Sequence, residues 1–190
     1  MRPISILLLV LLASCGGSSS PKATFTERRA VAFEAGISVG PAAGSDTHPV
    51  GDTPTDISAV YVVSFDIDGI GPVVDATLQL TRVANSGAPE GLAPLVVDHI
   101  DAGAAADVGD KTSVALTAAA HTLGGLGPWT LDVTSLVQAD QGAGRVRSAF
   151  RVQFTTTTDG DGMTDAMFFG SAVNPTLTHR PTLEVTYEVP

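Results

Sequence analysis

The chain has 190 residues, and its 20 acidic side chains against ten Lys and Arg give a net charge of −10. That balance argues against nucleic acid and against anionic membrane surfaces as partners. With one Cys in the whole sequence, no internal disulfide can form, so a folded core must come from apolar burial alone.

Arg2 and the apolar run from Ile4 to Leu12 read as the n-region and h-region of a signal peptide, since the run is too short to cross a bilayer as a helix. It closes on Leu12-Ala13-Ser14-Cys15, which resembles a bacterial lipobox. The resemblance implies cleavage before Cys15, diacylglycerol on its thiol and the lipid bilayer as a partner. Acyl chains of this kind gain about 0.8 kcal/mol per buried CH₂. Gly16 to Lys22 (GGSSSPK) is a flexible tether with nothing to bury. Gly rather than Asp after the Cys favours, by resemblance to Gram-negative sorting, the outer membrane. The expected organisation is a signal peptide over 1–14, a lipidated Cys and linker over 15–23, and one domain over 24–190.

Val, Thr, Gly and Pro are plentiful and turn signals recur at short intervals, which predicts an all-β sandwich or barrel. A first strand is expected over Thr24 to Phe33. Gly36 to Thr55 reads as a loop holding a short strand at Ile37 to Gly40 and an exposed His48. Ser58 to Ile67 alternates, with Tyr61, Val63, Phe65 and Ile67 on the core face. Val74 to Val83 places Ala76, Leu78 and Leu80 inward. Leu95 to Ile100 is a strand on which Asp98 and His99 point to opposite faces, while His99 and Asp101 share one and suggest a surface ion pair, with an acid–base site as the lesser alternative. Val114 to Ala120 fits a strand or a short helical piece.

Asp132 is the expected N-cap of a short helix with Val133, Leu136 and Val137 as its apolar stripe, ended by Gly142 or Gly144. Arg145 to Phe154 follows as a strand with Val146, Phe150, Val152 and Phe154 inward and Arg145, Arg147 and Arg151 outward. Thr182 to Val189 closes the chain, with Leu183, Val185, Tyr187 and Val189 facing in.

The strings Ala76 to Leu80 (ATLQL), Trp129 to Val137 (WTLDVTSLV), Phe169 to Ser171 (FGS) and Arg180 to Tyr187 (RPTLEVTY) together resemble the DNRLRE-domain proteins. These are carbohydrate-binding-module-like jelly rolls of secreted and surface-attached bacterial proteins. The resemblance spans roughly Val39 to Tyr187, although the literal DNRLRE string is absent. It implies a jelly-roll-type β-sandwich with one short helix, and binding of polysaccharide or extracellular matrix at the cell envelope without catalysis. The rival expectation is a structural or adhesive lipoprotein whose partner is another envelope protein.

Three groups of residues carry chemistry. Asp159-Gly160-Asp161-Gly162-Met163-Thr164-Asp165 offers the Asp159, Asp161 and Asp165 carboxylates on a Gly-rich turn, either as calcium ligands or as a solvated acidic hairpin tip. Asp66 and Asp68 form a second, weaker candidate. Arg145, Arg147 and Arg151 could hold the carboxylates of an acidic glycan or pair with neighbouring acids. Trp129 is either a sugar-stacking platform or a buried anchor. No nucleophile elbow and no zinc-spaced His pair is present.

Overall fold

The computed structural model describes residues 22–38, 41–42, 44–121 and 125–189. The signal-peptide stretch, Cys15 and the tether up to residue 21 lie outside the described residues. In chain order the strands are β1 (Thr24–Arg29), β2 (Val31–Ile37), β3 (Pro41–Ala42), β4 (Thr47–Asp52), β5 (Ser58–Asp66), β6 (Val73–Ser86), β7 (Leu95–Ile100), β8 (Thr117–His121) and β9 (Gly127–Asp132). Helix α1 (Thr134–Gly142) follows, then β10 (Arg147–Phe154), β11 (Ala166–Gly170) and β12 (Thr182–Glu188).

All pairings are antiparallel, and the strands fall into two layers. The front sheet holds β1, β12, β6, β11 and β4, with β9 on the opposite edge of β6 from β12. The back sheet runs β3-β2-β5-β10-β7-β8. The short β4–β5 ladder (Gly51↔Ala59, Asp52↔Ser58) joins the two sheets at one corner. Most successive strands alternate between the layers, so the fold is an all-β, jelly-roll-type sandwich with one short helix.

The core follows from the alternation of apolar residues. Tyr61, Val63 and Phe65 of β5 and Phe150, Val152 and Phe154 of β10 meet Leu78 and Leu80 of β6, Phe169 of β11 and Leu183 and Val185 of β12. Phe65 and Phe150 tilt against each other at 6.5 Å, within the usual range for aromatic pairs. Fully burying an aliphatic or aromatic side chain of this size contributes roughly 1.5–3 kcal/mol, so a layer of this extent suffices for a chain with no disulfide.

The outer face of the back sheet is also covered. Ala35, Ile37, Val60, Val62, Ile100, Ala102 and Ala149 form a second buried cluster with Phe33 and Ala106. Its cover is the segment over 101–116, which carries a 3₁₀ turn at Val108–Lys111 capped by Asp107. Lys111 ties the cover to the sheet by donating to the carbonyls of Ser38 and Ser58. Burial lowers the pKa of Lys111.

Helix α1 takes over the pairing of β6 where β9 stops. Thr134 Oγ1 accepts from Ala76 N–H at 2.9 Å, Gln141 Oε1 accepts from Val73 N–H at 3.1 Å, and Gln138 Nε2 donates to Val73 O at 2.9 Å. Backbone groups at the open end of β6 are thereby satisfied by helix side chains, as buried polar groups require.

Several expectations are corrected here. The stretch over 36–55 holds β3 and β4 rather than mostly loop, and His48 on β4 is buried. Thr117–His121 is a strand. The N-cap position is Val133, one residue later than expected; Asp132 Oδ1 still accepts the Thr134 N–H at 2.9 Å, and these Thr134 bonds lower its pKa. Val146 precedes β10 and Val189 follows β12, and both are exposed because neither belongs to a strand that faces the core.

Candidate functional site

The acidic loop after β10 folds back against the corner where the sheets join. Asp159 and Asp165 come together there, but the third carboxylate is Asp52, the last residue of β4, and not Asp161. One ligand atom from each of Asp52, Asp159 and Asp165 lies within 4.8 Å of the others. Asp161 is exposed, and its Oδ1 accepts the Met163 N–H at 2.7 Å within the turn.

Backbone bonds fix these carboxylates. Asp52 N–H donates to Asp165 O at 3.0 Å, and Asp165 N–H returns a bond to Asp52 Oδ1 at 2.9 Å. Ala88 N–H donates to Asp165 Oδ1. Two glycines make the approach feasible: a Cβ on Gly51 (φ +143) would strike the Asp165 carbonyl oxygen, and one on Gly87 (φ +62) would strike its carboxylate. Burial raises the Asp159 pKa, and the Asp161, Asp165 and Asp52 carboxylates push it the same way, outweighing the bond from Asp161 N–H. Asp66 and Asp68 stay at a turn, where Asp66 Oδ1 accepts the Asp68 N–H.

The three arginines part company. Arg145 and Arg147 line an open groove of about 350 Å³ between the stretches 100–104 and 144–147. Arg145 bridges Asp101 Oδ2 at 3.3 Å and Asp140 Oδ1 at 3.0 Å. Partial burial opposes its charge, but the two carboxylates outweigh this and raise its pKa. Among the described residues Arg147 reaches only the Gly103 carbonyl, at 3.5 Å, and its Nε is buried with no hydrogen-bond partner.

Arg151 instead lies buried under the 101–116 cover, 4 % exposed. Its Nε and Nη2 donate to Asp98 Oδ2, and its Nη1 donates to the carbonyls of Asp110, Lys111 and Ser113. It clamps the cover to the sheet and offers no donor to an external ligand. Strand alternation placed it on the outer face correctly; what alternation cannot show is that the 101–116 segment covers that face.

Trp129 is partly buried and packs on the core, edge-on to Phe169 at 5.2 Å, with Nε1 donating to Gly125 O at 3.4 Å. It serves as an anchor for β9 on β6.

Two further polar clusters are interior. His99 does not form a surface pair with Asp101: it is buried, and its Nε2 lies 2.8 Å from Asp140 Oδ2, which also accepts from Ser148 Oγ. Asp140 thus sits at the centre and neither partner is set up as a nucleophile, because the hydroxyl bonds the carboxylate and not the imidazole. On the other side of the core, Glu34 accepts from Tyr61 Oη at 2.7 Å and from Ala172 N–H at 2.7 Å, with His48 Nε2 at 3.7 Å. Burial would raise the Glu34 pKa, but the nearby His48 and the bonds from Tyr61 and Ala172 more than offset it and lower it. Tyr61 is pushed well above its ordinary value by burial and by the Glu34 charge.

No protein-family model matches the chain, and no curated protein sequence matches it.

Proposed function

We propose that this protein is a lipid-anchored component of the bacterial cell envelope, exported and held at the outer membrane through Cys15, whose carbohydrate-binding-module-like sandwich binds an acidic polysaccharide without catalysis. The anchor rests on the Leu12-Ala13-Ser14-Cys15 sequence after an apolar h-region. The binding role rests on one observation above all: Arg147 lines an open groove and, among the described residues, no carboxylate pairs with its guanidinium, which reaches the Gly103 carbonyl through Nη1 at 3.5 Å. A uronate carboxylate seated there accepts bonds from the Nη groups, while the buried Nε faces away from the ligand. Arg145 beside it partly offsets the negative field of an acidic protein.

The His99–Asp140–Ser148 and Glu34–His48–Tyr61 clusters are buried and serve the scaffold, which fits a domain that binds and does not react. The exposed Val108, Val114 and Leu116 on the cover segment, beside β8, favour a second reading, in which the partner is another envelope protein.

The test is calorimetric titration of the full-length protein in mild detergent with a uronic-acid polymer and with a neutral glycan. Binding of the uronate polymer alone, lost in Arg147→Ala, supports the proposal. Absence of binding, or equal binding by Arg147→Ala, overturns the groove as the site and turns attention to the Val114 face.

A further inference from the structure

We propose that Asp52, Asp159 and Asp165 form a calcium site that ties the loop after β10 to the corner where the two sheets join. This inference is independent of the glycan reading and concerns the opposite kind of charge.

The second observation beside the acidic cluster is the state of Asp52. Its side chain is buried, 1 % exposed, and its Oδ2 has no hydrogen-bond partner among the described residues, although Oδ1 accepts the Asp165 N–H. A buried anionic oxygen left without a donor is costly, and native structures almost always supply one or replace it with a cation. The donors that do reach the cluster are backbone amides: Asp165 N–H to Asp52, Ala88 N–H to Asp165 and Asp161 N–H to Asp159. They orient the carboxylates without neutralising them, which is the usual job of the groups behind metal ligands.

The ligand chemistry narrows the ion. One ligand atom from each carboxylate lies within 4.8 Å of the others, close enough to share a cation. An irregular all-oxygen shell suits Ca²⁺, which accepts flexible geometry, better than Mg²⁺, which demands a near-ideal octahedron. All are hard carboxylate oxygens, with no His or Cys among them, which suits Ca²⁺ over Zn²⁺. Asp159 is exposed, so the open side of the site can take the waters that complete a shell of six to eight.

The ligands come from widely separated parts of the chain. Asp52 ends β4 and pairs with Ser58 at the sheet junction, whereas Asp159 and Asp165 bracket a Gly-rich turn. A bound ion therefore locks the loop over 155–165 onto the corner of the sandwich.

The experiment uses full-length protein in mild detergent, stripped with EDTA and returned to chelator-free buffer. Melting temperature and cleavage of the loop over 155–165 by a protease are followed with rising calcium chloride, for the wild type, Asp159→Asn and Asp161→Asn. Both variants change exposed residues and so should fold. Calcium raises the melting temperature by several degrees and protects the loop in the wild type and in Asp161→Asn, because a ligand that binds only the native state stabilises it. In Asp159→Asn half-saturation moves to at least about tenfold higher calcium, no less than the cost of changing an outer-shell partner. A melting curve indifferent to calcium, or the same response in Asp159→Asn as in the wild type, overturns the proposal.

Discussion

His99 Nε2 and Asp140 Oδ2 lie 2.8 Å apart in the interior, joining β7 to α1 across 41 residues of sequence. Asp140 also receives Ser148 Oγ from β10 and Arg145 Nη1 from the groove edge. One buried carboxylate thus holds the helix, two strands and the wall of the proposed glycan groove in register. Removing one partner of a buried, hydrogen-bonded charge cluster costs roughly 3–5 kcal/mol. Asp140→Ala is expected to lower stability by about that much in urea denaturation, with Asp140→Asn losing less. A loss under about 1 kcal/mol for Asp140→Ala would show that the cluster is dispensable.

Arg151 is expected to behave as a clamp and not as a ligand residue. Arg151→Ala strands the buried Asp98 carboxylate, which keeps only the Gln153 Nε2 bond at 2.6 Å. It should destabilise by roughly 3–5 kcal/mol and expose the cover segment over 101–116 to protease. The double variant Asp98→Ala/Arg151→Ala should cost less than the two single losses added together, since the second change removes the stranded charge. Full additivity in urea titrations would rule out the coupling.

Glu34 sets an acid limit. Its folded pKa is below its ordinary value of about 4.5, so the folded state binds fewer protons than the unfolded one. Its stabilisation is complete above that value and is lost as pH falls toward and through the lowered folded pKa. Tyr61, raised well above its ordinary value, acts on the alkaline side: its contribution is intact below about 10 and drains away as pH rises further. Stability measured against pH should lose part of its acid limb in Glu34→Gln and part of its alkaline limb in Tyr61→Phe. Unchanged limbs in both variants would contradict this assignment.

The proposed anchoring predicts a labelling result. The wild type should incorporate radiolabelled palmitate and fractionate with the outer membrane, while Cys15→Ser should do neither. Label retained by Cys15→Ser would place the acyl group elsewhere.

The sequence was most informative where a strand has one buried face and its partner elements are simple. The alternation of Tyr61, Val63 and Phe65, of Ala76, Leu78 and Leu80, and of Leu183 and Val185 identified the main core directly, and the Val133–Val137 stripe located the helix. What stayed hidden depends on segments distant in sequence. Val60 and Val62 alternate with the Tyr61, Val63 and Phe65 core face and so point outward, yet the 101–116 cover buries them. His48 looked exposed beside Pro49 because nothing local shows that β4 stacks it on Tyr61, with ring centroids 5.0 Å apart. The acidic turn was visible as Asp159, Asp161 and Asp165, but Asp52 could not be, since no spacing rule links residues so far apart. Arg145, Arg147 and Arg151 share a strand period, and only the third dimension distinguishes two groove residues from a buried clamp.

The pairing of β1 with β12 bears on how the domain carries force. Six register pairs run from Thr24↔Glu188 to Arg29↔Leu183, reinforced by Lys22–Glu188 and Arg28–Glu184 ion pairs. At the far end Arg29 bonds the Asp66 carbonyl, and Asp66 is the register partner of Arg147 beside the groove. Were the chain anchored ahead of Lys22 and a polymer held at Arg147, as proposed, the pull would run lengthwise along β1, over about 20 Å. The six pairs would then be loaded together in shear and would not unzip one by one. Under that load the domain would resist along the axis of its first strand.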